Sequence, residues 1–384
     1  MATGPVNVEA LGQAGMAALN RGDAATARAR FEEIVAAGAG DGTVWLMIAI
    51  ACEVLGDERA VAHALDSTLE IEPDNVRALL MRADRLAATG DRRAAISFYQ
   101  TVTGLVPEGM ALSTEAMVEI DRARATLVRL SEEIFQDLDA HIKADGHDPS
   151  TASRRFAQSL AMLSGRTKRY EQQPRSYFFP ELPTIPFYPR DAFPWMDKVE
   201  AATDDICAEL QAAMADGLEF APYIEAELNR PNNSRDDLLN SDDWSAVYLW
   251  RDGRLVPEAA ARFPKTVAAM AGLPLETIPG RAPFVLFSKL APGATIPPHT
   301  GFLNTRLVCH LPLIVPPDCR FRVGADERVW EKGKAWVFND TIEHEAHNGS
   351  GETRVILIFN IWRPELTMQE REAVSSLMQG VDRL

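Results

Sequence analysis

The chain has 384 residues, enough for two domains that each bury a core, and its 46% apolar and 24% charged residues are the balance of ordinary globular protein. A net charge of −16 excludes a general nucleic-acid binder, because a phosphate backbone requires clustered Lys and Arg. Four scattered cysteines (Cys52, Cys207, Cys309, Cys319) form no CxxC pair and no disulfide framework, which fits free thiols in a reducing compartment. The first residues lack a basic n-region and an apolar h-region, and no run of about eighteen apolar residues occurs, so the expectation is a cytoplasmic protein without a membrane span.

The first third repeats. Gly22-Asp23, Gly56-Asp57 and Gly90-Asp91 recur at a 34-residue step, and Phe31, Leu65 and Tyr99 recur at the same step. Ala27, Val61 and Ala95 hold a small-residue position, Trp45 and Leu79 a large apolar one, and Pro73 and Pro107 end the second and third units. This pattern resembles tetratricopeptide repeats, helix–turn–helix units in which small residues let two helices approach and an aromatic fills the gap to the next unit. The resemblance implies an N-terminal α-helical solenoid over residues 1–110. About three units are needed to bury one another's apolar faces, and a helix over 113–143 is placed to close the stack. Such a solenoid offers a surface for a peptide or partner chain, or serves as a spacer or dimerisation platform.

Residues 111–175 read as helical cap and linker, with a turn at Gly146-His147-Asp148-Pro149 and a short helix over 154–163. From Pro174 to Pro189 five prolines alternate with Tyr177, Phe178, Phe179, Phe187 and Tyr188. Proline at that density forbids helix, so this stretch reads as an extended wrap whose aromatics anchor it. Residues 191–217 read as one helix and 258–271 as another, separated by a strand over 241–250 that runs into the Asp252-Gly253 turn. Trp244, Tyr248 and Trp250 on that strand are read first as core packing, with walls for a substrate as the alternative.

From Phe284 onward apolar runs bounded by Gly, Pro, Asn or Asp predict short buried strands, notably 307–313, 337–338 and 355–359. Four of the seven histidines (His299, His310, His344, His347) fall in this stretch. Histidines on strand ends suggest a metal site, since neutral imidazole is a common ligand for borderline metals; hydrogen-bonded structural histidines are the alternative. The usual facial triad takes a carboxylate two residues after its first His, and that position is Gly301. Arg354 stands in an otherwise apolar strand, where a charge is costly unless paired.

Pro298-His299-Thr300-Gly301, Asn304-Thr305-Arg306-Leu307, His310-Leu311-Pro312-Leu313, Phe338-Asn339-Asp340 through Glu343-His344-Glu345, and Trp362-Arg363-Pro364-Glu365-Leu366 together resemble the aspartyl/asparaginyl β-hydroxylase family. The resemblance runs over residues 176–384. It implies a double-stranded β-helix (jelly-roll or cupin-like) domain that uses Fe(II), 2-oxoglutarate and O2, and a multidomain α + β chain overall. It further implies iron held by His299 and His344, with water in the third position. It assigns Arg354 and Ser288 to the C5 carboxylate of 2-oxoglutarate, and Arg306 and His310 to its other end. A structural salt bridge for Arg306 and a core role for His310 are the alternatives. Asp340, Glu343 and Glu345 lie near His344, as imidazole-orienting groups or as solvated charges. The chain departs from the family pattern at His347, Asn360 and Arg363, where Trp, Asp and His are common.

The expected function is a dioxygenase that hydroxylates an unactivated C–H bond, the β-carbon of Asp or Asn in a peptide or protein recruited by the repeats, with no nucleic-acid or membrane partner. The rivals are hydroxylation of a lipid A-type acyl chain or a small molecule, and a repeat-based adaptor carrying an inactive oxygenase domain.

Overall fold

The computed structural model describes residues 7–107, 109–148, 151, 153–224 and 239–383. The chain divides into two compact units, Met1–Lys168 and Arg169–Leu384.

The first unit is helical. Its elements are α1 (Val8–Asn20), α2 (Ala24–Ala36), α3 (Gly42–Val54), α4 (Glu58–Ile71), α5 (Val76–Ala88), α6 (Arg92–Leu105), α7 (Thr114–Ala144) and α8 (Arg154–Leu163). They form the three helix pairs of a tetratricopeptide-like solenoid, and α7 packs on the last pair. Each Gly-Asp turn has two jobs. Gly22, Gly56 and Gly90 take positive φ, which ends the first helix of a pair without a Cβ penalty. Asp23, Asp57 and Asp91 then cap the second helix, accepting a hydrogen bond from the backbone N–H three residues on. A second series at the same step, Asn7, Asp41 and Asn75, caps the first helices in the same way. Ala27, Val61 and Ala95 are fully buried between the paired helices, with Phe31, Leu65 and Tyr99 beside them.

The second unit is a β-domain with helices on one side. After the extended wrap come α9 (Met196–Ala201), α10 (Thr203–Ala215), β1 (Ala221–Pro222), β2 (Trp244–Arg251), β3 (Arg254–Leu255), α11 (Pro257–Arg262) and α12 (Pro264–Met270). The core strands are β4 (Val285–Leu290), β5 (Thr295–His299), β6 (Arg306–Ile314), β7 (Cys319–Val323), β8 (Asp326–Val329), β9 (Trp336–Phe338), β10 (His344–Asn348) and β11 (Arg354–Trp362), followed by α13 (Met368–Val381). Two antiparallel sheets result. One runs β1-β2-β4-β11-β6-β9, with β3 on β2, and the other runs β5-β10-β7-β8. This is the double-stranded β-helix arrangement.

Two predicted helices are broken. Over 191–217, Pro194 keeps Phe193 out of the helical region, so regular helix starts only at Met196. A second break falls at Ala202, where the Thr203 hydroxyl donates to the Glu200 carbonyl and competes with the helical ladder. Over 258–271, Pro264 lacks an N–H and splits the segment at Phe263.

The larger sheet is buried on both faces, which is why β6 and β11 read as continuous apolar runs. On β11, Val355, Leu357, Phe359 and Ile361 face the helices, while Arg354, Ile356 and Ile358 face the opposite sheet. The same alternation turns Ser288 on β4 and Val308 and His310 on β6 toward the space between the sheets.

The wrap packs on the segments that carry the site. Arg175 and Ser176 N–H groups donate to the Gly301 and Phe302 carbonyls, Tyr188 N–H to Val337, and Asn339 N–H to Pro186. Phe187 and Tyr188 are buried anchors, packing into separate clusters, whereas Phe178 is exposed. Asn304, fully buried, holds the wrap from below. Its Oδ1 accepts from Phe179 N–H (2.6 Å) and its Nδ2 donates to the Phe179 carbonyl (2.8 Å). Arg363, also buried, donates to the Pro183 carbonyl (3.1 Å) and lies 5.7 Å from the Tyr188 ring, so its departure from the family pattern serves this attachment. Asn304→Ala is expected to cost about 2 kcal/mol, because it strands buried backbone groups, and to open residues 172–190 to proteases. Urea unfolding followed by tryptophan fluorescence reports on this unit, which holds every tryptophan except Trp45. An unchanged midpoint and cleavage pattern would refute the assignment.

Candidate active site

β5 and β10 pair so that His299 and His344 are direct cross-strand partners, with ring centroids 4.1 Å apart. Each ring is held in the same way. His299 Nδ1 lies 2.8 Å from the Pro297 carbonyl and His344 Nδ1 lies 3.0 Å from the Ile342 carbonyl. A carbonyl only accepts, so in the neutral imidazole Nδ1 carries the proton and Nε2 carries the lone pair. Burial, and then His299, hold His344 well below the usual imidazole range, so it is neutral at physiological pH.

Arg354 enters from β11 and is buried with 1% exposure. Its Nη2 reaches Ser288 Oγ at 3.5 Å, its Cζ lies 4.8 Å from the Trp330 ring, and its Nε has no partner. Among the described residues no carboxylate forms an ion pair with it. Burial pulls its guanidinium down to about 10. Ser288 Oγ also accepts from Trp244 Nε1 (3.2 Å), and the Trp244 ring lies 6.0 Å from His299. Tyr223 stacks on the far face of Trp244 at 4.1 Å.

His310 is buried among Phe338 (4.7 Å), Phe321 (4.9 Å) and Trp330 (6.1 Å), with no partner for Nδ1. Burial, and then the Arg354 charge, push it well below the usual range. Arg306 stands in a separate ionic cluster, 3.4 Å from Asp340 and 3.8 Å from Glu276. Burial raises Glu276 to about 7 against the pull of Arg306, and Asn360 donates to its carboxylate.

The three acidic residues near His344 part ways. Asp340 is buried against Gly301, whose N–H donates to the Asp340 carbonyl (2.7 Å); a Cβ at 301 would run into the Asp340 carboxylate. A triad-type side chain at 301 is therefore excluded sterically. Glu343 and Glu345 pair with Arg322 on β7. His347, one face over, is exposed and bonds Thr295 Oγ1 (2.8 Å). Among the described residues no group of three or more His, Cys, Asp or Glu is placed to hold a metal ion. The arrangement offers two imidazole lone pairs and, linked to His299 through Ser288 and Trp244, a buried cation without a carboxylate partner among the described residues.

Sequence reasoning passed over Trp330 and Glu276 and read Trp244 first as packing. Their roles come from strand register and loop closure, for which no local pattern exists.

His344 and His310 make the metal-free β-domain acid-sensitive. The unfolded chain takes up these protons near pH 6.5, whereas the folded domain resists them. The associated stability is present above that pH and falls by about 1.4 kcal/mol per pH unit per ring as acid is added. Urea midpoints measured between pH 7.5 and 5.5 with chelator present should show this slope, reduced in His310→Phe; a flat profile would count against buried neutral rings.

The fold and this site define a cupin-like β-domain with a two-histidine centre. Residues 200–364 match the family described as aspartyl/asparaginyl beta-hydroxylase. Aspartate beta-hydroxylase domain-containing protein 2 of Xenopus tropicalis is 31% identical over 212 residues, 54% of this chain and 55% of that protein. Aspartyl/asparaginyl beta-hydroxylase of Homo sapiens is 36% identical over 143 residues, 37% of this chain and 19% of that protein. The matched region thus spans about half of the first relative and a fifth of the second. Among solved structures, the Yersinia enterocolitica type III secretion chaperone SycD in complex with a peptide of the translocator YopD is 15% identical, with a TM-score of 0.30, over 33% of this chain and 93% of that one.

Proposed function

We propose that the β-domain is an Fe(II)- and 2-oxoglutarate-dependent dioxygenase that hydroxylates the β-carbon of an Asp or Asn residue in a peptide or protein. The observation that carries this reading is the pair of cross-strand, carbonyl-tethered imidazoles, linked through Trp244 and Ser288 to a buried guanidinium that has no carboxylate partner among the described residues. Two neutral imidazole donors suit a borderline divalent metal that keeps open positions, and an uncompensated buried cation suits a carboxylate ligand. His299 and His344 would hold the iron, and Arg354 with Ser288 would hold the distal carboxylate of 2-oxoglutarate. When bound, iron and 2-oxoglutarate supply the activation of O2, with release of succinate and CO2 and transfer of one oxygen atom to carbon.

The residues of the chain supply placement. The Pro297 and Ile342 carbonyls fix the tautomer and rotation of each imidazole, which matters more where only two protein ligands exist. Phe321, Trp330 and Phe338 line the interior and exclude water, which strengthens the Arg354–carboxylate attraction. The helical repeats would recruit the peptide or protein partner. Among the described residues no helix is long and apolar enough to cross a membrane.

The test uses the full chain with Fe(II), ascorbate and 2-oxoglutarate. Succinate formation should rise on adding Asp- or Asn-containing peptides, which gain one oxygen atom. Succinate stimulated only by acylated lipids would replace the peptide substrate. Absence of both succinate and 2-oxoglutarate binding would leave an adaptor.

A further inference from the structure

Trp330 lies between β8 and β9, inside the β-domain, with 4% exposure. It stacks with Trp336 at 5.9 Å and packs 5.3 Å from Phe321. The Arg354 guanidinium lies over its ring at 4.8 Å. Its Nε1 is buried and has no hydrogen-bond acceptor among the described residues. Buried N–H groups are almost always paired, because desolvating a donor without an acceptor is costly. A phenylalanine would supply an aromatic face for packing and for the guanidinium without that cost. A tryptophan here is therefore a donor waiting for an acceptor.

The neighbouring groups say what kind of acceptor. Among the described residues Arg354 Nε, His310 Nδ1 and Trp336 Nε1 are also buried without partners, and of these groups Arg354 carries a positive charge. A ring face beneath a guanidinium occupies the face of that group and leaves its N–H edge open. The indole N–H likewise lies at the edge of its ring. Two neighbouring donors, one of them cationic, match the two oxygens of a carboxylate.

We propose that Trp330 is a further ligand-binding residue of this site, its indole N–H donating to the distal carboxylate of the 2-oxo dicarboxylic acid that Arg354 and Ser288 grip. The inference rests on the 2-oxoglutarate reading above and adds a donor to it. Trp330 thereby contributes to the choice of a dicarboxylate over a 2-oxo acid with an apolar tail.

Titration calorimetry on the full chain, loaded anaerobically with Fe(II), tests this with two ligands. One is 2-oxoglutarate and the other is 2-oxopentanoate, which has the same carbon chain without the distal carboxylate. Trp330→Phe is expected to weaken 2-oxoglutarate about tenfold or more, the effect of losing one hydrogen bond to a charged group. Binding of 2-oxopentanoate and of Fe(II) should stay within about twofold of wild type, the size of a 0.4 kcal/mol change. Equal weakening of both ligands would reduce Trp330 to a packing role, and no weakening of either would mean that its N–H serves a buried water; both results overturn the proposal. If the wild-type chain itself binds 2-oxoglutarate no more tightly than 2-oxopentanoate, the cosubstrate reading falls and this proposal with it, a result distinct from failure of the variant alone. A crystal structure of the wild-type chain with Zn(II) and 2-oxoglutarate reads the same contact without a substitution. Trp330 Nε1 within about 3.2 Å of a distal carboxylate oxygen is expected, and a water molecule in that place overturns the proposal.

Discussion

His344→Ala is expected to abolish peptide hydroxylation and to lower Fe(II) affinity by at least about a hundredfold, beyond the 10–100-fold range typical of losing a group that only orients a ligand. The expectation follows from the number of protein donors. Among the described residues no third His, Cys, Asp or Glu is placed to ligate, and the Asp340 carboxylate fills the space where a side chain at 301 would project. Removing one of two ligands leaves a single imidazole, which does not distinguish this cavity from an ordinary buried histidine. His347→Ala supplies the control. That ring lies on the same strand, is exposed and is hydrogen-bonded to Thr295, so its loss should leave metal affinity unchanged. Competition with a chromophoric chelator under anaerobic conditions measures both variants. Metal affinity within threefold of wild type in His344→Ala would remove the basis for the two-histidine centre.

Arg354→Met is expected to do two opposite things. It should weaken 2-oxoglutarate binding by about a hundredfold, since two charge-assisted hydrogen bonds from a guanidinium fork are worth about 3 kcal/mol. It should also stabilise the ligand-free β-domain by about 1–4 kcal/mol, as replacing buried ionic groups with an apolar side chain of similar volume often does. The displacement of Arg354 to about 10 by burial corresponds to about 3 kcal/mol held against the folded state. The sign is that of a base depressed by folding. Both states are protonated below about pH 10, so the cost is in force throughout the physiological range and is relieved only as pH rises above it. The gain in Arg354→Met should therefore be the same at pH 6 and pH 8. Thermal unfolding with and without 2-oxoglutarate reads both effects: the wild-type β-domain rises in stability with ligand by mass action, whereas the variant starts higher and does not respond. A variant less stable than wild type without ligand would show that Arg354 serves the fold rather than a ligand.

A trade of stability for a binding group would account for the unpartnered polar atoms in the interior of the domain. Among the described residues Arg354 Nε, His310 Nδ1, Trp330 Nε1 and Trp336 Nε1 are buried without partners in or against an otherwise apolar cluster. Natural cores leave few such atoms unsatisfied, and those that remain tend to mark function.

What was legible in the sequence depended on the range of the interactions. The helical repeats were legible because capping and helix packing act within one 34-residue unit, so Gly22-Asp23 and its counterparts reappear at a fixed step. The buried strands were legible because a sheet covered on both faces leaves uninterrupted apolar runs. Helices over 191–217 and 258–271 were read as continuous although Pro194 and Pro264 interrupt them; both prolines act locally, and the apolar pattern on either side outweighed them in the reading. The site residues are a different matter. His299 and His344 stand out only as histidines on strand ends until the β5–β10 register makes them partners. Arg354 meets Ser288 across 66 residues, and Trp244 meets Ser288 across 44. Whether Arg306 faces a ligand or a carboxylate depended on the approach of Glu276 and Asp340 from other parts of the chain. Trp330 has no local signature, because a tryptophan that packs and a tryptophan that donates are the same letter. Local patterns were enough to disclose the repeats, the strands and which residue types carry charge into an apolar domain. Which of those side chains share a cavity was set by folding, because strand register, with its period of two, decides which face each side chain occupies and which distant residue it meets.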